Sequence, residues 1–490
     1  MPHVIGVDSS TQSTKAELRD VATGDVVATG TSTHPRTTPP VSEQDPQAWW
    51  DALVDAVAQL GDTRSDVVAM SVAGQQHGLV LLDDGGLPLR KSKLWNDTTS
   101  APQADRLVNE FGAAWWADWT GVVPVAAYTI TKLAWVADNE RELLDRTARV
   151  MLPHDYLTWR LCGEHVTDRG DASGTGWYDA TADRALARPF DYIVGEGADW
   201  LHRLPRVLGP TETAGQLTAA AAGELGLPKT VVVGPGTGDN MGAALGLGLD
   251  SGDAVISLGT SGTVYARTTE RTHDSTGTVA GFCDAAGGYL PLVCTLNATK
   301  VTDTVATWLG TDPAGLSDLA VAAGGDVIEP VLVPYFDGER TPNRPESRGL
   351  FIGLSTSTSR EHVARAAHDG VVCGLLDGFD ALAATGARLD GRLMLVGGGA
   401  RSAAYRRRMA DLSGREVSVP VNDEAVAAGA AVQAASVYDG GDLAGVAAAW
   451  NLGAVSMTEP DPLADATEVR ERYSTARAFD DGLCRPLPAG

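Results

Sequence analysis

Short apolar runs that stop abruptly at glycine or a polar residue recur along this chain, and each predicts a buried strand. The first, Val4–Val7, ends at Asp8. A polar loop over Asp8–Thr14 leads into a second strand, Lys15–Arg19, and then a third, Asp25–Thr31. Turn-like connections join them, so the opening reads as an antiparallel meander. The pattern then changes period. Asp45 at an N-cap and Pro46 in the first turn predict a helix over Gln47–Leu60. Val67–Val72 is again a buried strand, running into Gly74-Gln75-Gln76-His77-Gly78. Strands alternating with helices place the chain in the α/β class.

The opening device returns in the second half. Ala254–Leu258 reads as a strand, Gly259–Thr263 as a turn of glycines and hydroxyls, and Val264–Arg267 as a strand. One such unit is commonplace, but one opening each half predicts a duplicated, two-domain architecture. The glycine-rich segment Gly246–Asp253 marks the boundary, giving domains over 1–246 and 247–490. A length of 490 residues accommodates both, and 43% hydrophobic residues supply their cores.

Charge narrows the partners. Lys and Arg number 38 against 63 Asp and Glu, a formal net charge of -25. Such a surface repels nucleic acid and anionic membranes, so neither is expected as a partner. A local set of amides and a cation can still hold a small phosphate. Cys162, Cys283, Cys294, Cys373 and Cys484 are scattered without a C-x-x-C pair, which predicts neither a disulfide framework nor a zinc site. With no secretory signal read at the N-terminus, the expected location is the cytoplasm.

Four motifs carry candidate chemistry. In Asp8-Ser9-Ser10-Thr11-Gln12-Ser13-Thr14-Lys15, a carboxylate at a strand end precedes a hydroxyl-rich hairpin. That suits a hard cation with phosphate oxygens beside it; the plainer reading is a hairpin whose side chains satisfy turn amides. In Gly234-Pro235-Gly236-Thr237-Gly238-Asp239-Asn240, glycines allow a ligand to come close and Asp239 is a candidate general base. Its plainer role is a helix cap. In Leu393–Ser402 a strand runs into Gly397-Gly398-Gly399 and a helix over Ser402–Leu412, the geometry that sets amides against a phosphate or a flat base. Finally, Gln75-Gln76-His77-Gly78 with Leu94-Trp95-Asn96-Asp97 offers amide, imidazole and indole groups suited to a polyol. No G-x-S-x-G elbow or Walker A motif is present.

Taken in order, Asp8–Lys15, Gly74–Gly78, Leu94–Asp97, Gly238–Asn240, Ser257–Thr263, Tyr335–Pro342 and Gly397–Ser402 resemble the FGGY carbohydrate kinases across essentially the whole chain. The resemblance implies two ribonuclease-H-like domains of the actin and hexokinase type, with the active site in the cleft between them. The N-terminal domain would bind sugar and the C-terminal domain ATP. Gln75–Gly78, Tyr335–Pro342 and Leu152-Pro153-His154-Asp155-Tyr156-Leu157, followed by Thr167-Asp168 and Asp171–Thr175, resemble the members that act on xylulose. Two departures stand out: Ser9 and Ser10 follow Asp8 where the family loop usually begins Asp-x-Gly-Thr, and Thr98 follows Asp97 where an Arg is common.

Carried over by residue, the resemblance makes Asp239 the catalytic base and Asp8 the carboxylate that organises Mg²⁺ and the phosphates. Gln76, His77 and Trp95 would contact the sugar. Thr11, Lys15, Gly259, Thr260, Gly398, Gly399 and Ala400 would contact ATP. The reaction implied is ATP-dependent phosphorylation of D-xylulose to D-xylulose 5-phosphate, with a homodimer among the assemblies implied. L-ribulose, gluconate or a related polyol are alternative substrates. A non-catalytic, actin-like ATP-binding protein is the alternative from another class, and it would have no use for Gln76, His77 and Asp239 together.

Overall fold

The computed structural model describes residues 1–195, 200–324, 329–421 and 424–479; Cys484 lies outside them. It divides into two compact units. The first comprises Met1–Leu249, Thr269–Leu290 and Glu424–Gly453, and the second Asp250–Thr268, Pro291–Asp423 and Ala454–Gly490.

In the first unit, strands His3–Ser9, Ser13–Asp20 and Val26–Thr33 form the antiparallel meander that the hydrophobic pattern predicts. Strand Val67–Gly74 joins the other side of His3–Ser9 in parallel, and Val232–Val233 lies parallel beyond it. The period-two rule sorts the first strand onto two faces. Ile5 and Val7 pack with Trp49, Leu53, Ala56 and Val57 of the helix Pro46–Ala58. Val4 packs on the opposite side with Ala428, Ala431 and Val432 of the helix Ala425–Asp439. Burial of each large apolar side chain contributes roughly 1.5–3 kcal/mol. The helix Pro46–Ala58 starts as expected, its Asp45 side chain accepting from Gln47 N at 3.0 Å. It ends two residues before the expected Leu60, where the chain tightens into a short 3₁₀ turn.

The helix Ala425–Asp439 also meets the helix Asp239–Gly246 at backbone distance. A Cβ on Gly429 would stand 1.9 Å from the Gly242 carbonyl oxygen, and one on Gly246 would stand 1.9 Å from that of Ala425. Only glycine permits that approach. The small residues of this stretch are therefore a packing device.

The second unit repeats the topology. Strands Ala254–Leu258 and Gly262–Ala266 form a hairpin, and Tyr289–Thr295 continues it antiparallel. Leu393–Val396 and then Val417–Pro420 add in parallel on the other side, with Val455–Thr458 antiparallel at the edge. The 25-residue helix Arg360–Ala384 lies against this sheet, Gly378 meeting Val264 and Val293. The glycine-rich turn Gly397–Arg401 sits at the end of Leu393–Val396. Each unit is thus an α/β layer structure built on one plan, antiparallel strands on one side of the sheet and parallel strands on the other, closed there by an antiparallel edge strand.

Candidate active site

Three parallel strand ends bring the first unit's candidate residues together, as ligand sites in α/β sheets usually require. Asp8 ends one strand, directly opposite Lys15 in the hairpin register. Strand Val67–Gly74 ends next to it and delivers Gln75, Gln76 and His77. Thr237 and Gly238 pair in parallel with Ala73 and Gly74, which sets Asp239 beside Gln76.

Asp239 is the first residue of the helix Asp239–Gly246, and Gly238 occupies the cap. Asp239 therefore does not act as the ordinary N-cap. Its Oδ1 accepts from Asn240 N at 2.8 Å and from Asn240 Nδ2 at 3.0 Å. The same Nδ2 donates to Gln76 Oε1 at 2.8 Å, which fixes the orientation of the Gln76 amide. Gln76 is buried, and its Nε2 has no partner among the described residues. A buried donor left unpaired costs about 1–3 kcal/mol, which a ligand hydroxyl would recover. Although Asp239 keeps some exposed surface, burial of its carboxylate raises the pKa to about 6, against the lowering bonds from Asn240.

Asp8 is pushed further, to about 7, by burial first and then by Asp239 and Glu424, with Lys15 opposing. Its Oδ1 is buried without a hydrogen-bond partner among the described residues. Lys15 Nζ stands 2.8 Å from Glu424 Oε1 and 3.5 Å from Glu17 Oε1. Thr11 and Trp95 also meet: the Trp95 indole N–H donates to Thr11 Oγ1 at 2.9 Å, and Trp95 is 43% exposed. His77 is buried, its ring 5.0 Å from that of Tyr128 and 5.5 Å from that of Phe282. Its φ of 65° is a left-handed conformation uncommon outside glycine, though His, Asn and Asp adopt it more often than other residues, and such positions gather at ligand sites.

Among the described residues no group of three or more His, Cys, Asp or Glu side chains stands where it could hold a metal ion by itself. Mg²⁺ beside a nucleotide does not need one. It takes one or two carboxylates and completes its shell with water and phosphate oxygens. The buried, unpartnered oxygen of Asp8 fits that role.

In the second unit a cavity of about 660 Å³, within the usual range for small-molecule sites, opens between the hairpin and the glycine-rich turn. Gly259, Thr260, Gly398 and Gly399 line it; Ala400 is buried behind the turn and does not. A Cβ built on Gly398 would meet nothing within 4 Å, so its face of the turn is open to a ligand. Ser317, Asp318, Arg401 and Tyr405 also contribute to its wall.

Sequence reasoning missed several of these groups. Ser317 and Asp318 sit in an ordinary helix and carry no local signal. Ser71 and Gln433 brace the Asp239 loop from below. Ser71 Oγ donates to Gln433 Oε1 at 3.0 Å and accepts from Gly236 N at 3.2 Å, while Gln433 Nε2 donates to the Gly236 carbonyl at 3.2 Å. Asn240 closes the Gly234–Asn240 motif, but only its bonds to both Asp239 and Gln76 reveal its part.

Comparison with known proteins identifies the family. A model of the N-terminal domain of the FGGY family of carbohydrate kinases matches residues 3–246, and one of the C-terminal domain matches residues 254–438. The xylulose kinase of Streptomyces rubiginosus is 49% identical over 459 residues, which cover 94% of this chain and 92% of that protein. The xylulose kinase of Escherichia coli (strain K12) is 35% identical over 422 residues, 84% of this chain and 85% of that one. The crystal structure of xylulose kinase from Bifidobacterium adolescentis is similar with a TM-score of 0.85 at 39% identity, covering 97% of this chain and 99% of that one. Topology, motif order and the two family matches converge: the chain belongs to the FGGY family of carbohydrate kinases.

Proposed function

We propose that the protein transfers the γ-phosphoryl group of ATP to the terminal hydroxyl of D-xylulose, giving D-xylulose 5-phosphate and ADP. The choice of sugar rests on the likeness to xylulose kinases over nearly the whole chain. The observation that carries the chemistry is the bonded chain Asp239–Asn240–Gln76, in which a carboxylate and an unpartnered amide donor are fixed side by side.

In this reading Gln76 Nε2 donates to a sugar hydroxyl, His77 shapes the pocket wall and Trp95 covers the ring-free chain of the ketose. Asp239, mostly ionised at neutral pH, accepts the proton as the sugar oxygen bonds to the γ-phosphorus and the bond to the β,γ-bridging oxygen breaks. Amides of the Gly259–Gly262 hairpin and the Thr260 hydroxyl donate to phosphate oxygens, and Gly398 and Gly399 give the base a flat floor. Mg²⁺, held near Asp8, would neutralise charge on the phosphates. Thr11 would add a hydroxyl. Lys15, whose ammonium stands 2.8 Å from Glu424, would turn one of its three N–H donors to a phosphate oxygen.

ADP release measured with Mg²⁺-ATP against D-xylulose, L-ribulose, gluconate, glycerol and no sugar tests the reading. Turnover confined to D-xylulose is expected. Preference for another sugar would overturn the substrate assignment, and ATP binding without sugar-dependent turnover would remove the kinase reading of this chain.

A further inference from the structure

Beneath the Asp239 loop lies a buried charge cluster that the reaction itself does not use. His154, in the helix Pro153–Cys162, is fully buried. Its Nε2 stands 3.2 Å from Asp155 Oδ1, 3.3 Å from Asp168 Oδ1 and 3.5 Å from Asp171 Oδ2. Asp155 belongs to its own helix, Asp168 ends the strand Val166–Asp168, and Asp171 lies on the short helix Arg169–Ala172. Three acidic groups around one imidazole in a water-poor interior need a proton there. An ion taken out of water must be compensated by its neighbours.

This cluster touches the loop at two points. Asp168 accepts from Gly170 N and Asp171 N, each at 2.9 Å, which pins its carboxylate. Its Oδ2 also accepts from Thr237 Oγ1 at 2.7 Å. Thr237 is separated from Asp239 by Gly238 alone. On the other side, a Cβ on Gly236 would stand 2.6 Å from His154 Nδ1, so the imidazole forms the floor on which Gly236 rests at a φ of 75°.

We propose that His154, as an imidazolium, is a positioning residue: it holds Asp168, and through Thr237 and Gly236 it fixes the turn that aims Asp239 at the sugar hydroxyl. The proposal rests on the reading of Asp239 as the base. Asp155, Asp168 and Asp171 raise the His154 pKa to about 9 against burial, and Asp239 in turn faces Asp171 and helps to raise its pKa. His154 therefore keeps its proton at neutral pH and loses it as pH rises through about 9.

The test compares ADP release from D-xylulose by the full-length protein and its His154→Gln, His154→Lys, Thr237→Val and Asp239→Ala variants, from neutral to alkaline pH. His154→Gln should lower kcat roughly tenfold or more while KM for the sugar stays within about twofold, the split expected for an effect confined to the transition state. Wild-type kcat should fall above about pH 9. His154→Lys, which keeps a charge there, should recover activity and move that fall upward. Thr237→Val, which cuts the link to Asp168 but keeps His154 and its three carboxylates, should lower kcat in the same way. It decides the matter if His154→Gln does not fold. Wild-type kcat in His154→Gln or in Thr237→Val would overturn the proposal, as would His154→Lys being no better than His154→Gln. A dead Asp239→Ala beside a fully active His154→Gln would sink this inference alone; an active Asp239→Ala would sink the base and this inference together.

Discussion

Several buried polar atoms of the first unit lack a hydrogen-bond partner among the described residues, and two of them, an amide nitrogen on Gln76 and a carboxylate oxygen on Asp8, stand at strand ends next to Asp239. Buried polar groups are nearly always paired, and at this place a ligand would supply the partner. Asp239 beside them is held near the pKa that a base working at neutral pH needs. Because burial raises that pKa to about 6, the unprotonated, active form is lost as pH falls through 6. The kcat–pH profile should therefore drop about tenfold per unit on its acid side below that point. A profile flat down to pH values near 3.8, where an unperturbed aspartate titrates, would mean that Asp239 is not the titrating base. At this scale the sequence displayed the candidate residues but not their settings. Asp239 reads as a cap or a base in sequence, and its place inside the helix, with Gly238 in the cap, removes the ordinary cap role. Ser71 and Gln433 were invisible because 362 positions separate them along the chain.

The elements that aim these residues depend on two helices meeting at glycine. The pattern of Val4, Ile5 and Val7 was readable as a buried strand, and the two faces follow from its period. Which helix would cover the Val4 face was not readable. Ala425–Asp439 is apolar nearly all round and lacks a directional stripe, so its partner emerges only in three dimensions. Gly429→Ala puts a methyl group 1.9 Å from the Gly242 carbonyl oxygen, and overpacking of this kind costs about 1–3 kcal/mol. Denaturant unfolding should show a lower midpoint with an unchanged slope. Because the displaced helix begins at Asp239, kcat should fall as well. Unchanged stability and kcat would show that the close approach is not needed.

Across the molecule one sheet plan appears twice, and the two copies have diverged in the loops and helices beyond their strand ends. The repeat of strand, small-residue hairpin and strand was visible in the sequence because strand periodicity and glycine are local signals. Its distribution over the chain was not: Thr269–Leu290 and Glu424–Gly453 fold with the first unit, although they come late in sequence. The second unit's cavity gives a test of that division of labour. Gly398→Val adds bulk where no protein atom lies within 4 Å, so the fold should be untouched. ATP affinity by calorimetry should weaken about tenfold or more, close to 1.4 kcal/mol, with sugar affinity unchanged. Equal ATP affinity would place the nucleotide elsewhere.

If the Asp239 carboxylate takes the proton from the attacking sugar hydroxyl, Asp239→Ala removes the acceptor and leaves the rest of the site in place. Sugar-dependent ADP release should fall at least about a thousandfold, since a group needed in the transition state is removed, while calorimetry still detects D-xylulose binding and the thermal midpoint holds. ADP release close to wild type in that variant would contradict the account.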